Sequence, residues 1–388
     1  MYQRIIEQKL QDYLSSEEKK IFFLWGPRRS GKTTLIKKIA TQLGTRYFNF
    51  DILQDREFFV SDKNILASLV KDFPIILIDE VQTFPEATAA LKVLFDEFKV
   101  KIVATGSSEL RRKGVKEFDT LAGRYIEKFC LPLSLSEINN NSDQVTSNTE
   151  SFKKELVHKI TSFGTYPEIF SLTDDNARIA NLENLVDSYV IKDIIDIYNL
   201  KDLELAKKIL IMVALQIGNE VSYNEIARNL QANVGTISNY IEVFKKNYVL
   251  IELPAFKTNL RRAVSENRKL YFYDLGVRNS LLRDFRPLDL RVDKGAIFEN
   301  FIISEIEKMR LNSDLNFNKY FYREIQGSEV DLIIEDFYKR YFALEIKVSP
   351  QKVKSVFPLA HELLQVNLNN YVQILADIEL KIKKLTGT

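Results

Sequence analysis

The chain has 388 residues, 45% apolar and 28% charged, which are the proportions of a soluble globular protein of two or three domains. No apolar run approaches the roughly 20 residues that span a bilayer, so a membrane partner is not expected. A single cysteine, Cys130, excludes an intramolecular disulfide framework and points to a reducing, cytoplasmic setting; two histidines, His158 and His361, argue against a His-based triad or zinc centre; and a net charge of +2 leaves nucleic-acid binding to be argued from a local patch.

The first residues, MYQRIIEQKLQDYL, read as an amphipathic helix and not as a signal peptide. An apolar strand, Ile21 to Trp25, then runs into Gly26-Pro27-Arg28-Arg29-Ser30-Gly31-Lys32-Thr33-Thr34, which satisfies G-x-x-x-x-G-K-[ST] in full. Gly26 and Gly31 allow backbone dihedrals and close approach that a side chain would block, so successive N–H groups can surround phosphates. The helix opening at Lys32 aims its positive end at the same place. Lys32 is expected to reach the β- and γ-phosphates of ATP and the Thr33 hydroxyl to ligate Mg2+, with residues 26–34 as the binding loop.

A second strand is expected over 46–51, ending in Asp51. Residues 74–82, PIILIDEVQ, are an apolar strand ending in Asp79 and Glu80. Asp79 would hold the Mg2+ shell and Glu80 would polarise the attacking water. After a helix, ATAALKVLFDEF, the strand VKIVATGSS (100–108) ends in Gly106, Ser107 and Ser108, small enough to approach the γ-phosphate. Alternating strands and helices predict a parallel sheet covered on both faces. Arg124 in LAGRY is either an arginine finger or sensor for the γ-phosphate, or one half of a surface salt bridge. The polar run 139–151 reads as a loop closing the core sheet or as a surface insertion.

Residues 152–204 read as helices forming a lid or linker. Between 205 and 275 the order is helix, short helix capped by Ser222, turn at Gln231-Ala232-Asn233, longer helix and two strands, a winged-helix arrangement. Thr236, Ser238 and Asn239 would lie near the start of the recognition helix. Lys257, Arg261, Arg262, Arg268 and Lys269 would form a basic wing, within a stretch (257–291) that holds nine Lys or Arg against four Asp or Glu. Phosphate contacts there would give double-stranded DNA binding a steep salt dependence.

In the last region, Glu299 sits on a predicted helix, Asp331 on a strand, and Glu345 and Lys347 on a following strand as E-x-K, the spacing of the PD-(D/E)xK nuclease core. Residues two apart on a strand share a face, so Glu345 and Lys347 point together and Ile346 points into the core. Asp331, Glu345 and the Ile346 carbonyl would offer oxygens to Mg2+, and Lys347 would orient the attacking water or stabilise developing charge.

Together, GPRRSGKTTL, the acidic pair of LIDEVQ, TGSS, LAGRY, the GAIFENFI helix, YREIQGSEVDLII and LEIKVS resemble, over essentially the whole length, the prokaryotic predicted ATPases of the AAA superfamily that carry a C-terminal domain of unknown function with a nuclease-like core. The resemblance implies Mg·ATP binding and hydrolysis, with Ser107 as the polar residue that positions the lytic water. It also implies a winged helix and a restriction-endonuclease-type C-terminal domain, but supplies no substrate. The expected fold class is α/β, with a P-loop ATPase sheet (1–150), a helical lid or linker (151–204), a winged helix (205–291) and a nuclease-like domain (292–388), in a chain able to form a homo-oligomer. The alternative is a nucleotide-dependent signalling or defence switch whose C-terminal domain is a non-catalytic protein scaffold.

Overall fold

The computed structural model describes residues 2–107, 121–142, 149–194, 198, 200, 202–257, 268–324 and 327–386. It divides into two compact units, Met1–Leu133 and Ser134–Thr388. The first of these units ends at Leu133. The short helix after it begins at a Ser134 capping box, and the Leu135 amide donates to Glu305 Oε2 at 2.6 Å, well inside the second unit.

The first unit contains α1 (Ile5–Ser15), β1 (Ile21–Trp25), α2 (Lys32–Leu43), β2 (Phe48–Asn49), α3 (Lys63–Asp72), β3 (Ile75–Asp79), α4 (Ala87–Val93), β4 (Lys101–Gly106) and β5 (Tyr125–Phe129). The five strands form one parallel sheet in the order β2-β3-β4-β1-β5. All five residues of β1 are buried, as the unbroken run IFFLW requires of a strand covered on both faces. Phe22 and Leu24 pack with Ile6, Leu10 and Tyr13 of α1 and with Leu35, Ile36 and Ile39 of α2. The chain leaves β1 on one side and returns on the other, so the crevice beyond the carboxyl ends of β1 and β4 is the place where such sheets hold ligands. The expected strand over 46–51 contracts to Phe48–Asn49, because the Asp55 carboxylate takes the Asn49 amide at 2.7 Å and turns the chain away.

The second unit runs α5 (Leu135–Asn140), α6 (Glu150–Phe163), α7 (Asp175–Leu185), α8 (Leu203–Leu215), β6 (Glu220–Val221), α9 (Tyr223–Leu230), α10 (Val234–Lys246), β7 (Leu250–Pro254), β8 (Arg268–Phe272), α11 (Leu275–Leu282), α12 (Lys294–Asn312), β9 (Phe317–Arg323), β10 (Glu329–Asp336), β11 (Tyr341–Ile346), β12 (His361–Val366) and α13 (Tyr371–Thr386). Asp202, Ser222, Asn233 and Asp274 each cap the helix that follows with a side-chain oxygen. Helix α11 packs on α6, α7 and α8, and it does so closely: a Cβ on Gly276 would meet the Phe163 carbonyl oxygen at 2.2 Å. The helices between 150 and 194 pack within this second unit.

Two sheets complete it. One is antiparallel, in the order β6-β8-β7; the other, β12-β11-β10-β9, is antiparallel except for the β11–β12 pair. Chain just beyond β7 joins them, with the Phe256 amide donating to the Phe321 carbonyl at 2.7 Å. Helix α12 lies in the middle, with every residue from Ile297 to Lys308 buried; Asn300 brackets the Phe272 backbone at 2.8 and 2.9 Å, and Glu307 pairs with Arg310 at 2.7 Å and Lys319 at 2.9 Å.

Candidate functional site

The loop after β1 is shaped by close approach to the protein's own backbone. Cys130 donates its amide to the Trp25 carbonyl at 2.7 Å, and a Cβ on Gly26 would stand 2.0 Å from the Cys130 carbonyl oxygen. Only glycine fits. Arg29 (φ 61°) and Gly31 (φ 101°) are left-handed, which folds the loop into a backbone concavity before α2 begins at Lys32. Ser30 Oγ is buried without a hydrogen-bond partner. A concave loop, a helix amino end and an unsatisfied hydroxyl are the features of an anion site, so the residues present fit a polyphosphate.

Lys32 is 4% exposed and donates to the carbonyls of Gly26 at 2.8 Å and Pro27 at 2.7 Å. Burial pushes its pKa down, and the Glu80 carboxylate, followed by Cys130 and Asp79, pulls it back. The two acids are therefore electrostatic neighbours of the loop lysine, although 47 and 48 residues separate them in sequence. Asp79 ends β3, is 2% exposed and accepts a hydrogen bond from the Thr105 hydroxyl. Thr33 is half-buried and Thr34 exposed at the start of α2. A carboxylate and a hydroxyl are the oxygen donors Mg2+ takes, so this donor chemistry fits the cation as well.

Glu80 adopts a left-handed conformation (φ 55°) directly after the strand. Its carboxylate accepts from the Gln82 amide, which also donates to Ser107 Oγ at 3.0 Å, while Gln82 Oε1 accepts the Ser107 amide at 3.2 Å. Gln82 therefore ties the β3 acid to the end of β4. Gln82→Ala is expected to cut ATP turnover about tenfold or more while sparing ATP affinity, because it frees the Glu80 side chain without touching the loop. Steady-state kcat and KM for phosphate release check this. Arg4 is a second residue that the sequence reading missed: it is 8% exposed and donates to the Ser30 carbonyl at 2.6 Å and the Leu131 carbonyl at 2.5 Å, which pins the back of the loop. Its partners lie 26 and 127 residues away, and no local pattern marks them.

Arg124 is not beside its own phosphate loop. Its carbonyl accepts from Ile21, at the amino end of β1, whereas the loop leaves the carboxyl end. The guanidinium pairs with Asp96 at 2.8 and 3.1 Å, the surface salt-bridge alternative. Within the chain, the whole length of β1 lies between the Arg124 backbone and that loop. Ser108, Arg261 and Arg262 lie outside the described residues, as do 143–148 of the expected polar loop, whose first residues belong to α5.

The second constellation gathers in the second unit. Glu299 on α12, Asp331 on β10 and Glu345 and Lys347 at the end of β11 converge: Lys347 Nζ lies 3.0 Å from Asp331 Oδ2 and 3.3 Å from Glu345 Oε2, and the Ile346 amide donates to Asp331 at 2.7 Å. A register shift in the β9–β10 ladder between Val330 and Ile333 coincides with Asp331 and turns its side chain. Two residues from β8 complete the cluster. Lys269 Nζ is 3.2 Å from Glu299 Oε1 and also pairs with Glu329, and the Tyr271 hydroxyl donates to Glu299. Burial pushes Glu299 up to about 7; Lys269 opposes the shift and the Asp331 charge adds to it. Burial likewise raises Glu345, with Asp331 adding to it, whereas Asp331 and Glu345 outweigh the burial of Lys347 and hold it above the ordinary lysine range.

Lys269 was expected on an exposed wing, but it is 1% exposed, because its position in the middle strand of the β6-β8-β7 sheet directs it inward; Arg278 and Arg291 are also buried, held by Asp293 at 2.7 and 2.9 Å. The basic stretch is therefore partly internal. At Asp331 and Glu345, where Mg2+ was expected, Lys347 stands between the two carboxylates as an ion pair with each.

Residues 18–139 match the AAA domain family, residues 154–288 a domain of unknown function (DUF8612), and residues 294–379 another (DUF4143). An uncharacterized protein of Methanocaldococcus jannaschii is 25% identical over 336 residues, 77% of this chain and 70% of its own. An uncharacterized protein of Haemophilus influenzae is 25% identical over 354 residues, 85% of this chain and 82% of its own. Among solved structures, the Thermotoga maritima RuvB Holliday junction branch migration motor superposes with a TM-score of 0.30 at 17% identity, covering 64% of this chain and 89% of that one. The first unit has an AAA-type P-loop ATPase-like fold. Among the described residues, no helix is long and apolar enough to cross a membrane.

Proposed function

We propose that this chain is a Mg2+-dependent ATPase. The observation that carries the reading is the junction of β1 and α2: a left-handed loop ending in buried Lys32, with Asp79 and Glu80 as its charged neighbours. Backbone N–H groups of 28–31 and the amino end of α2 would bind the phosphates, and Lys32 would exchange its loop carbonyls for β- and γ-phosphate oxygens. Thr33 and Asp79 would hold Mg2+, which supplies charge neutralisation across the phosphates. Glu80, oriented by Gln82, would take the proton of the attacking water, and Ser107 would hold that water in line. Magnesium-dependent phosphate release from ATP by the full chain tests this; no release above a Thr33→Ala, Asp79→Ala control would remove it.

A DNA partner is the second part of the proposal. It is supported by α8, α9 and α10 followed by the β6-β8-β7 sheet, which we read as a winged helix. Thr236 and Ser238 are half-exposed and Asn239 exposed on α10. The order of α12 and β9 to β12 supports a PD-(D/E)xK-type C-terminal module, whose lysine-bridged carboxylates we assign a bracing role. Stimulation of ATP turnover by double-stranded DNA supports the DNA reading. Turnover that is blind to DNA favours the nucleotide switch with a protein-binding C-terminal module.

A further inference from the structure

The turn between β10 and β11 is tightly built yet presents two large rings to solvent. Asp336 is 3% exposed; its carboxylate accepts the amides of Tyr338 and Arg340, both at 2.9 Å, and holds the Arg340 guanidinium at 2.8 Å. On this fixed turn Phe337 is 73% and Tyr338 65% exposed, perpendicular to each other with centroids 5.6 Å apart, and Arg340 lies 5.3 Å from the Tyr338 ring. Packing gives no reason for two adjacent exposed aromatic side chains.

Beside the turn is a cavity of about 610 Å³ lined by Arg340, Tyr341, Phe342, His361, Lys381 and Lys384, among others. Its walls carry four Lys or Arg side chains against one carboxylate, Glu362. Lys381 reaches Glu362, and Asp336 holds Arg340 from behind, so those cations are held in place. The cavity opens at the starts of β11 and β12, whereas Glu345 and Lys347 stand at the other end of β11. It is a separate place from the carboxylate cluster.

We propose that the β10–β11 turn and this cavity bind single-stranded nucleic acid, with unstacked bases on Phe337 and Tyr338 and phosphates on Arg340, Lys381 and Lys384. Exposed ring faces give sequence-tolerant affinity only to bases that are free of a duplex, and neighbouring cations track the backbone. A duplex offers phosphates but no base faces, and an apolar protein partner would not need the cations. The proposal rests on neither the ATP site nor the winged-helix reading.

The test is fluorescence anisotropy of the full chain with a labelled oligothymidylate of about 15 nucleotides, with a duplex of equal length and anionic phosphatidylglycerol vesicles as competitors. Phe337→Ala/Tyr338→Ala is expected to weaken oligothymidylate binding about tenfold or more with thermal stability and ATP turnover unchanged. Lys384→Glu is expected to weaken binding and lower the salt slope by about one. Four results would each overturn the proposal: no binding by the wild type, equal binding by the aromatic variant, a duplex that competes as well as the single strand, or vesicles that displace the oligonucleotide while it fails to displace them.

Discussion

Glu80→Gln is expected to bind ATP with unchanged affinity and to hydrolyse it about 10²–10⁴-fold more slowly, the usual worth of a positioned general base. The expectation comes from geometry. Glu80 follows β3 in a left-handed conformation that separates its direction from that of buried Asp79, and Gln82 holds its carboxylate toward the end of β4, where Ser107 lies. Glutamine keeps the shape and the hydrogen-bonding oxygen but cannot accept a proton at neutral pH. Phosphate release under saturating ATP, paired with equilibrium nucleotide binding, separates the two effects. A turnover within about twofold of wild type would mean that Glu80 is not the base.

Lys269→Met is expected to lower the stability of the second unit by about 3–5 kcal/mol, because it leaves Glu299 and Glu329 facing a buried space without their ammonium. Glu299 retains the Tyr271 hydroxyl, but a single neutral donor does not balance a carboxylate that is 9% exposed. Combining Lys269→Met with Glu299→Gln should recover much of the loss, since removing both charges costs less than removing one. Urea titration followed by circular dichroism reads this as a shift in midpoint. If Lys269→Met unfolds with the wild type, Lys269 is not the ion that holds β8 to α12. The result bears on the C-terminal region as a whole, because Lys269 and Tyr271 come from the segment matching one family model and Glu299 and Glu329 from the next.

The pattern of the β1–α2 loop was legible because it is local. The glycines, the lysine and the hydroxyl must follow one another at fixed offsets, and the strand-then-helix context can be read from apolar patterning. The pair Asp79-Glu80 was legible for the same reason, as an apolar run that ends in acids. What was not legible is whatever depends on the partner across the sheet. Gln82 looks like an ordinary turn residue until β4 brings Ser107 to it. Gly26 looks like a glycine kept for a ligand, but the nearest obstacle is the Cys130 carbonyl.

In the second unit, the order and type of elements followed from capping residues and strand alternation. Charge counting failed at Lys269, Arg278 and Arg291, because a sequence shows the sign of a side chain and not the face it lands on. The spacing of Asp331, Glu345 and Lys347 correctly brought them together. It could not show that Lys347 would stand between the two carboxylates, or that β8 would supply the cluster with a second lysine, paired to Glu299.

The measurement closest to the central claim is calorimetric titration of the full chain with ATP, with Mg2+ and then with EDTA, for wild type and Lys32→Ala. The expected result is one ATP site per first unit that tightens with Mg2+, and an affinity reduced about 100-fold or more when the lysine is removed. ATP bound equally well by Lys32→Ala, or no heat of binding from the wild type, would contradict the assignment of the β1–α2 loop as a nucleotide site.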